Sequence, residues 1–439
     1  MAYRTKYNAS FGEIGVHVAQ RWPEKSIIEK KGKQKQTLGL ALSGGGYRSA
    51  IFNYGILKGL YEIEAIPKID YLSAVSGGSW IAMPFSTSDD LKWFFDDIPT
   101  HANLIEEGFE SLLANPARVI QEATLSRKNV NYISNIFGRL LSKSFLREHG
   151  QKSRYVPMAD KNMIKDMDRP YLIVNGTVNY RSPESFSVTQ ECFEMTKLYS
   201  GCRSLGYIHT KDLYAKEKAL RVRDAIAVSG AAVAFHLPAL GGEVAGFGLS
   251  REVQNYAKDV KSRADVSETD DLDLSDGGHY NNLGIESLIN RGCGFIIVVD
   301  AEHDKEEKTN GSSGQKYHGL NTLLKRHHIQ TALGKGVIET LNRVNEPLNI
   351  IDGPEGIPDI LYIKLKSFDR FDAYAKDKPY NQPGFLRNLF SQGSFAFDPQ
   401  FSTAKLDYDF AEHRNLSDLG VFIVRENKNR IIDFIERSQ

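Results

Sequence analysis

The sequence predicts an α/β fold with a central, largely parallel sheet flanked by helices, and three observations carry that reading. Short apolar runs bounded by glycine or polar residues recur along the chain, the pattern of strands buried on both faces. Segments with apolar residues at helical spacing lie between them. The first two runs pass through a small-residue turn straight into such a segment, the strand–turn–helix order from which parallel sheets are built.

Taken in order, Thr37-Leu-Gly-Leu-Ala-Leu42 reads as the first strand. Phe52, Ile56, Leu60 and Ile63 then recur at helical spacing, with Gly55 and Gly59 placed to allow close packing against a sheet. Residues 69–75 form a second strand, with a helix from Gly77 onward. Residues 84–168 are helical and irregular in pattern, an insertion. Strand character returns at Tyr171-Leu-Ile-Val-Asn-Gly-Thr-Val178, a helix is expected near residues 222–233, and further strands at 294–299 and 360–365. Residues 302–314, charged and then rich in Gly and Ser, read as a surface loop. No repeat of fixed period is visible.

The chain has 439 residues, 41% hydrophobic and 25% charged, with Lys+Arg 55 against Asp+Glu 55. Such a composition excludes collagen, coiled-coil and disordered classes. Zero formal net charge argues against a dedicated nucleic-acid partner, which needs a basic excess. Cys192, Cys202 and Cys293 follow no disulfide or CxxC spacing, which fits a reducing compartment. The N-terminus shows no apolar signal core, and no apolar run approaches the ~20 residues of a membrane span. The expectation is a cytoplasmic protein whose membrane contact is peripheral. Residues 1–36 are polar and lysine-dense at their end, a solvated lead-in in preference to an anionic-lipid contact.

Three motifs carry chemistry. Ser43-Gly-Gly-Gly-Tyr-Arg48 stands where a strand meets a helix, so its N–H groups and the helix dipole can hold an anion, whether a phosphate or an oxyanion. It is neither a Walker A loop, which needs a following lysine, nor a dinucleotide fingerprint, which needs a glycine where Ser49 stands. Ala74-Val-Ser-Gly-Gly78 has the form of a nucleophile elbow, whose sharp turn demands small neighbours. Parallel neighbouring strands would bring both turns to one carboxyl edge of the sheet. Leu274-Ser-Asp-Gly-Gly-His279 places an acid beside a flexible turn, a partner for a serine that is a poor nucleophile until a base takes its proton. Each motif alone also reads as a structural turn.

Together these pieces resemble the patatin-like and cytosolic phospholipase A families, which set a Gly-Gly-Gly-x-Arg oxyanion loop, a serine elbow and a later Asp-Gly acid in that order. Ala225-Ile-Ala-Val-Ser-Gly-Ala-Ala232 with Phe235 and Pro238 resembles the small-residue helix and Phe-x-x-Pro stretch before the patatin aspartate, and Leu172-Ile-Val-Asn-Gly-Thr177 their central strand. The resemblance covers roughly residues 37–302. Ala74 and Ser49 depart from plant patatins, while Val75-Ser-Gly-Gly-Ser-Trp80 leans toward the cytosolic phospholipase branch.

The resemblance implies a patatin-like three-layer fold with helical insertions: a lead-in at 1–36, a catalytic core at 37–302 and a C-terminal part of the same domain at 303–439. It implies a lipid acyl hydrolase acting on membrane phospholipids, with Ser76 as nucleophile, Asp276 as its base, backbone N–H groups of Gly45 and Gly46 (beside Gly44) as oxyanion hole, and Arg48 on the lipid phosphate. No metal or cofactor is implied. With about 36 residues before the core, no preceding calcium-binding targeting domain is expected. Some bacterial members are defence effectors awakened by a cyclic nucleotide and oligomerisation, which this chain would suit by analogy alone; housekeeping lipid turnover is equally compatible.

Two other readings stand beside this one. A Ser-His-Asp triad would use Asp276 or Asp300 with His279, His303, His318, His327, His328 or His413. A catalytically idle module would use the glycine nest to hold an anionic ligand. Two segments are lid candidates: the basic amphipathic stretch 132–147, for which packing on the core is the favoured reading, and the glycine- and phenylalanine-rich stretch from Pro383 through Phe390, Phe395 and Phe397 to Phe401, which equally suits a buried loop.

Overall fold

The computed structural model describes residues 22–29, 36–96, 141, 156–160, 168–181, 188–215, 218–231, 236–237, 242–243, 251–256, 271–303, 346–353, 357–381, 397–401 and 408–439. Eleven strands among them join one mixed sheet. They are β1 (Leu38–Leu42), β2 (Tyr71–Val75), β3 (Tyr171–Arg181), β4 (Val188–Thr196), β5 (Tyr199–Cys202), β6 (Gly206–His209), β7 (Arg251–Gln254), β8 (Asp271–Asp276), β9 (Phe295–Asp300), β10 (Leu348–Ile351) and β11 (Asp359–Lys364).

The helices are α1 (Lys25–Glu29), α2 (Gly46–Glu62), α3 (Gly77–Thr87), α4 (Leu91–Asp96), α5 (Val222–Ser229), α6 (Gly278–Asn281), α7 (Glu286–Asn290), α8 (Asp369–Lys376), α9 (Phe410–Glu426) and α10 (Lys428–Ser438).

The spatial order is β10-β11-β9-β1-β2-β3-β4-β5-β6, with β8 on β3 and β7 on β8. Its centre, β11 through β3, is parallel, as the buried apolar runs predict. Both margins are antiparallel: β10 caps one side and the β4–β6 meander the other. The more polar strands of the meander and β7–β8 lie outside the apolar pattern from which the sequence expectations were drawn.

Alternating side chains divide the core between the two faces, giving three layers. Leu38, Leu40 and Leu42 of β1 face the larger core with Ile297 and Val299 of β9, beneath α2, α3, α5 and α9. Ala41, Ile296 and Val298 face the opposite layer, which includes Leu288 of α7 and Ile28 of α1.

Gly55 and Gly59 serve a different contact from the one expected. A Cβ on Gly55 would stand 2.0 Å from the Ser417 carbonyl oxygen, and one on Gly59 2.7 Å from Val424 Cβ. They admit α9, which comes back from the far end of the chain to lie against α2, and Gly420 mirrors them. A helix–helix crossing this close needs small residues where the backbones meet.

The solvated lead-in also needs correction at its described end. Trp22, Glu24 and Ile28 are buried. Arg291, at the end of α7, stacks on Trp22 with its guanidinium carbon 4.1 Å from the ring centre. The same guanidinium binds Glu24 at 2.9 Å and Glu194 of β4 through two 2.9 Å contacts. Buried charge of this kind is tolerable only when paired, so α1 docks on the sheet through one central arginine.

Candidate active site

β3 is longer than β2, and the surplus builds the site. Its first half pairs with β2, ending at Val75 opposite Asn175, and the next residue, Gly176, pairs with Asp276, the last residue of β8. β2 and β8 thus run toward each other along one edge of β3 and stop head to head. Ser76 and Asp276, far apart in sequence, are delivered to the gap between them. The Ser76 hydroxyl donates to Asp276 Oδ2 at 3.0 Å. Asp276 Oδ1 accepts the Gly278 N–H at 2.6 Å, and its main-chain carbonyl accepts the Thr177 hydroxyl at 2.7 Å. Ser76 is 7% and Asp276 2% exposed, so the pair operates in low dielectric, where such a bond is stronger than in water.

Ser76 sits at φ 49° and ψ −124°, a conformation costing about 1–3 kcal/mol for a residue with a side chain. The turn is held from several sides. The Ser76 carbonyl accepts from Ser79 N at 2.8 Å and Ser79 Oγ at 2.6 Å, and its N–H donates to Ser229 Oγ at 2.8 Å. The glycines after it are steric requirements: a Cβ on Gly77 would lie 1.9 Å from the Gly46 carbonyl oxygen, and one on Gly78 2.5 Å from that of Leu42. Elbow and glycine turn therefore pack backbone on backbone.

The glycine turn follows β1, which is parallel to β2, so both lie at one sheet edge. Gly45 (φ 137°) and Gly46 (φ 64°) occupy backbone space that L side chains avoid. The Gly44 N–H is committed to the Asn282 carbonyl at 2.9 Å, whereas those of Gly45 and Gly46 donate to no described residue. A Cβ on Gly44 would stand 3.0 Å from Ser76 Cβ, so the turn borders the hydroxyl closely.

Arg48 departs from expectation. It is fully buried, donates from Nε (3.1 Å) and Nη2 (2.8 Å) to the Ala301 carbonyl, and binds the Phe401 carbonyl through Nη1. The first turn of α2 carries its guanidinium inward to the loop after β9 and the 397–401 segment, where main-chain carbonyls accept from all three of its nitrogens.

The described candidate histidines have contacts other than Ser76. His279 Nδ1 is 3.1 Å from Ser275 Oγ, His303 Nδ1 is 3.0 Å from the Phe401 carbonyl, and His413 packs beside Tyr47. Asp300, the other candidate acid, accepts from Lys364 and Tyr362 of β11. His318, His327 and His328 lie outside the described residues, as do Phe235 and Pro238, residues 383–390 and Phe395. So does the stretch 132–147 apart from Leu141, which is buried, and Phe397 is buried too.

Three participants escaped the sequence reading as individuals: Ser229; Asn175, whose amide nitrogen donates to Ser73 Oγ (2.8 Å) and the Ala74 carbonyl (3.0 Å); and Asn282, whose amide donates to Glu302 (2.8 Å). The Asn281-Asn282 pair just after Asp-Gly-Gly was the available signal. A hollow of about 480 Å3 bordered by Gln36, Cys293 and Pro358 lies at the start of β1 and β9, the opposite end of the sheet from Ser76.

With this geometry in view, comparison with known proteins is decisive at the level of family. The patatin-like phospholipase family model matches residues 40–289, more than half of the chain, from within β1 to within α7. The chain belongs to the patatin-like phospholipase family. Among curated proteins, a 51-residue stretch is 39% identical to the meiotic phospholipase SPO1 of Saccharomyces cerevisiae, covering 12% of this patatin-like chain and 8% of that protein.

Among solved structures, human GIVD cytosolic phospholipase A2 superposes with a TM-score of 0.65 at 11% identity, over 99% of this chain and 67% of that one. The same human enzyme in complex with methyl gamma-linolenyl fluorophosphonate and terbium chloride gives a TM-score of 0.57 at 13% identity, over 99% and 64%. These likenesses establish that the patatin-like fold seen here is shared with the cytosolic phospholipases. No helix among the described residues is long and apolar enough to cross a membrane.

Proposed function

We propose that this patatin-like protein is a lipid acyl hydrolase that cleaves fatty-acyl esters of membrane phospholipids through an acyl-serine intermediate. The observation that carries the reading is the 3.0 Å hydrogen bond from the Ser76 hydroxyl to Asp276 at the head-to-head junction of β2 and β8, beside a glycine turn two of whose N–H groups donate to no described residue.

In the first half-reaction the Ser76 proton passes to Asp276 as Oγ attacks the ester carbonyl carbon. The carbonyl oxygen becomes an oxyanion facing the N–H groups of Gly45 and Gly46, donors already fixed before charge develops. Collapse expels the lysolipid alkoxide, which takes the proton from Asp276, and leaves the acyl group on Ser76. A water molecule repeats the sequence, giving up its proton to Asp276 and releasing the fatty acid, so serine and carboxylate are regenerated. The Arg48 guanidinium already donates to the Ala301 and Phe401 carbonyls, and the reading does not depend on its binding the lipid phosphate. The chain spans 8% of the curated relative it matches, so substrate and activity rest on the site and the family alone.

A fluorophosphonate probe tests the reading, because it needs an activated serine and no particular substrate. Labelling of the wild type that disappears in Ser76→Ala, together with fatty-acid release from mixed phospholipid vesicles by the wild type alone, is the expected result. Labelling that persists in Ser76→Ala contradicts it. Cytoplasmic location, peripheral membrane contact, and activation by a cyclic nucleotide with homo-oligomerisation belong to the same proposal on family analogy. Repeating the vesicle assay with and without cyclic nucleotides, with light scattering in parallel, tests the activation.

A further inference from the structure

We infer that Ser229 is a positioning residue that sets the nucleophile and the acid against each other from a single point. The inference rests on the Ser76–Asp276 reading and adds to it the part that holds the strained elbow in register.

The Ser229 hydroxyl accepts the Ser76 N–H at 2.8 Å and donates its own proton to the Asn175 carbonyl at 2.6 Å. Its main-chain carbonyl accepts the N–H of Gly277, the residue after Asp276, at 3.1 Å. One residue therefore bonds to the main chain of the nucleophile, to that of the residue following the acid, and to β3 at the point where β2 ends.

Its own support is rigid. Ser229 closes α5, every residue of which is buried. The start of that helix is fixed by Arg221 and Asp224, whose side chains meet at 2.7 Å (Nε–Oδ2) and 3.1 Å (Nη2–Oδ1).

The chemistry of the side chain suits this place. A hydroxyl can accept one bond and donate another at once, and both partners here are buried main-chain groups that would otherwise go unpaired. Ser76 is the residue at positive φ, and such a conformation persists only where the surroundings over-determine it. The carbonyl of Ser76 is pinned from within α3, but its N–H has its partner across the fold, on α5. Removing that acceptor frees the elbow to relax and carries Oγ away from Asp276. Substrate contacts are not made by Ser229, so the loss should fall on the chemical step.

The test compares full-length wild type, Ser229→Ala and Ser229→Cys in the rate of fluorophosphonate labelling of Ser76, in kcat and KM on a soluble short-chain ester, and in Tm. The thiol of the Cys variant keeps the volume while accepting hydrogen bonds poorly. Labelling and kcat should fall about tenfold to a hundredfold in both variants, with KM within about twofold of wild type and the Cys variant still folded.

A Cys variant that folds and labels within about twofold of wild type makes Ser229 dispensable and overturns the inference. A Cys variant that loses its fold makes Ser229 structural and also overturns it. If the wild type itself takes no label, the hydrolase reading fails and this inference falls with it. If wild type labels, Ser76→Ala does not, and the Ser229 variants match wild type, the inference alone fails.

Discussion

At the scale of single residues, the site depends on what is missing from side chains as much as on what they supply. Gly77 faces the Gly46 carbonyl at a distance no Cβ can share, so Gly77→Ala must push the glycine turn away from Ser76. A displacement of about 1 Å at a reacting centre costs ~10²-fold. The labelling rate of Ser76 should fall by about that factor while circular dichroism stays native, and an unchanged rate would show that the two turns move independently. Small residues at these turns were legible in the sequence because the requirement is local: a strand, a sharp turn, a helix. The inward course of Arg48 is not legible in the sequence because the direction of a buried side chain is set by what packs over it, here the carbonyls of Ala301 and Phe401 from remote segments. Ser229 and Asn282 are hidden for the same reason, since their partners lie on other elements: main-chain groups for the Ser229 hydroxyl, the Glu302 carboxylate for the Asn282 amide.

Elements were legible where their burial is two-sided. β1, β2, β9 and β11 are nearly continuous apolar runs, and the helix after β1 follows from spacing. β8 alternates Asp and Leu, a pattern without a continuous apolar run, yet it is the strand that carries Asp276 to its place. α9 was missed because its partner glycines lie on α2, and only the fold reveals that they belong together.

The docking of α1 yields a pH prediction. Burial, the largest influence, raises the Glu24 carboxyl above its usual value of 4.5, against the opposing pull of Arg291, which Glu24 shares with Glu194. One oxygen of Glu24, Oε2, has no hydrogen-bond partner among the described residues. The folded chain therefore keeps a proton here at pH values where the unfolded chain has lost it, and stability drains away as pH rises from 4.5 toward the raised value. Glu24→Gln removes that titration. Melting curves across this range should show wild type losing stability relative to Glu24→Gln as pH rises; a difference independent of pH would contradict the assignment.

On the scale of the whole molecule, one sheet gathers strands from residue 38 to residue 364, and all the candidate chemistry stands at the edge where β1 and β2 end and β8 meets them. Three short motifs scattered along the chain become one place because β3 outlasts β2. Zero net charge fits a protein whose dealings with anions are local. The measurement that bears most directly on this account is phospholipid hydrolysis by Asp276→Asn, set beside His279→Ala, His303→Ala and His413→Ala. A general base contributes about 10²–10⁴-fold, so Asp276→Asn should lose at least ~10²-fold in kcat while each histidine variant stays near wild type. Retained activity in Asp276→Asn, or its loss in any one histidine variant, would contradict the Ser76–Asp276 dyad.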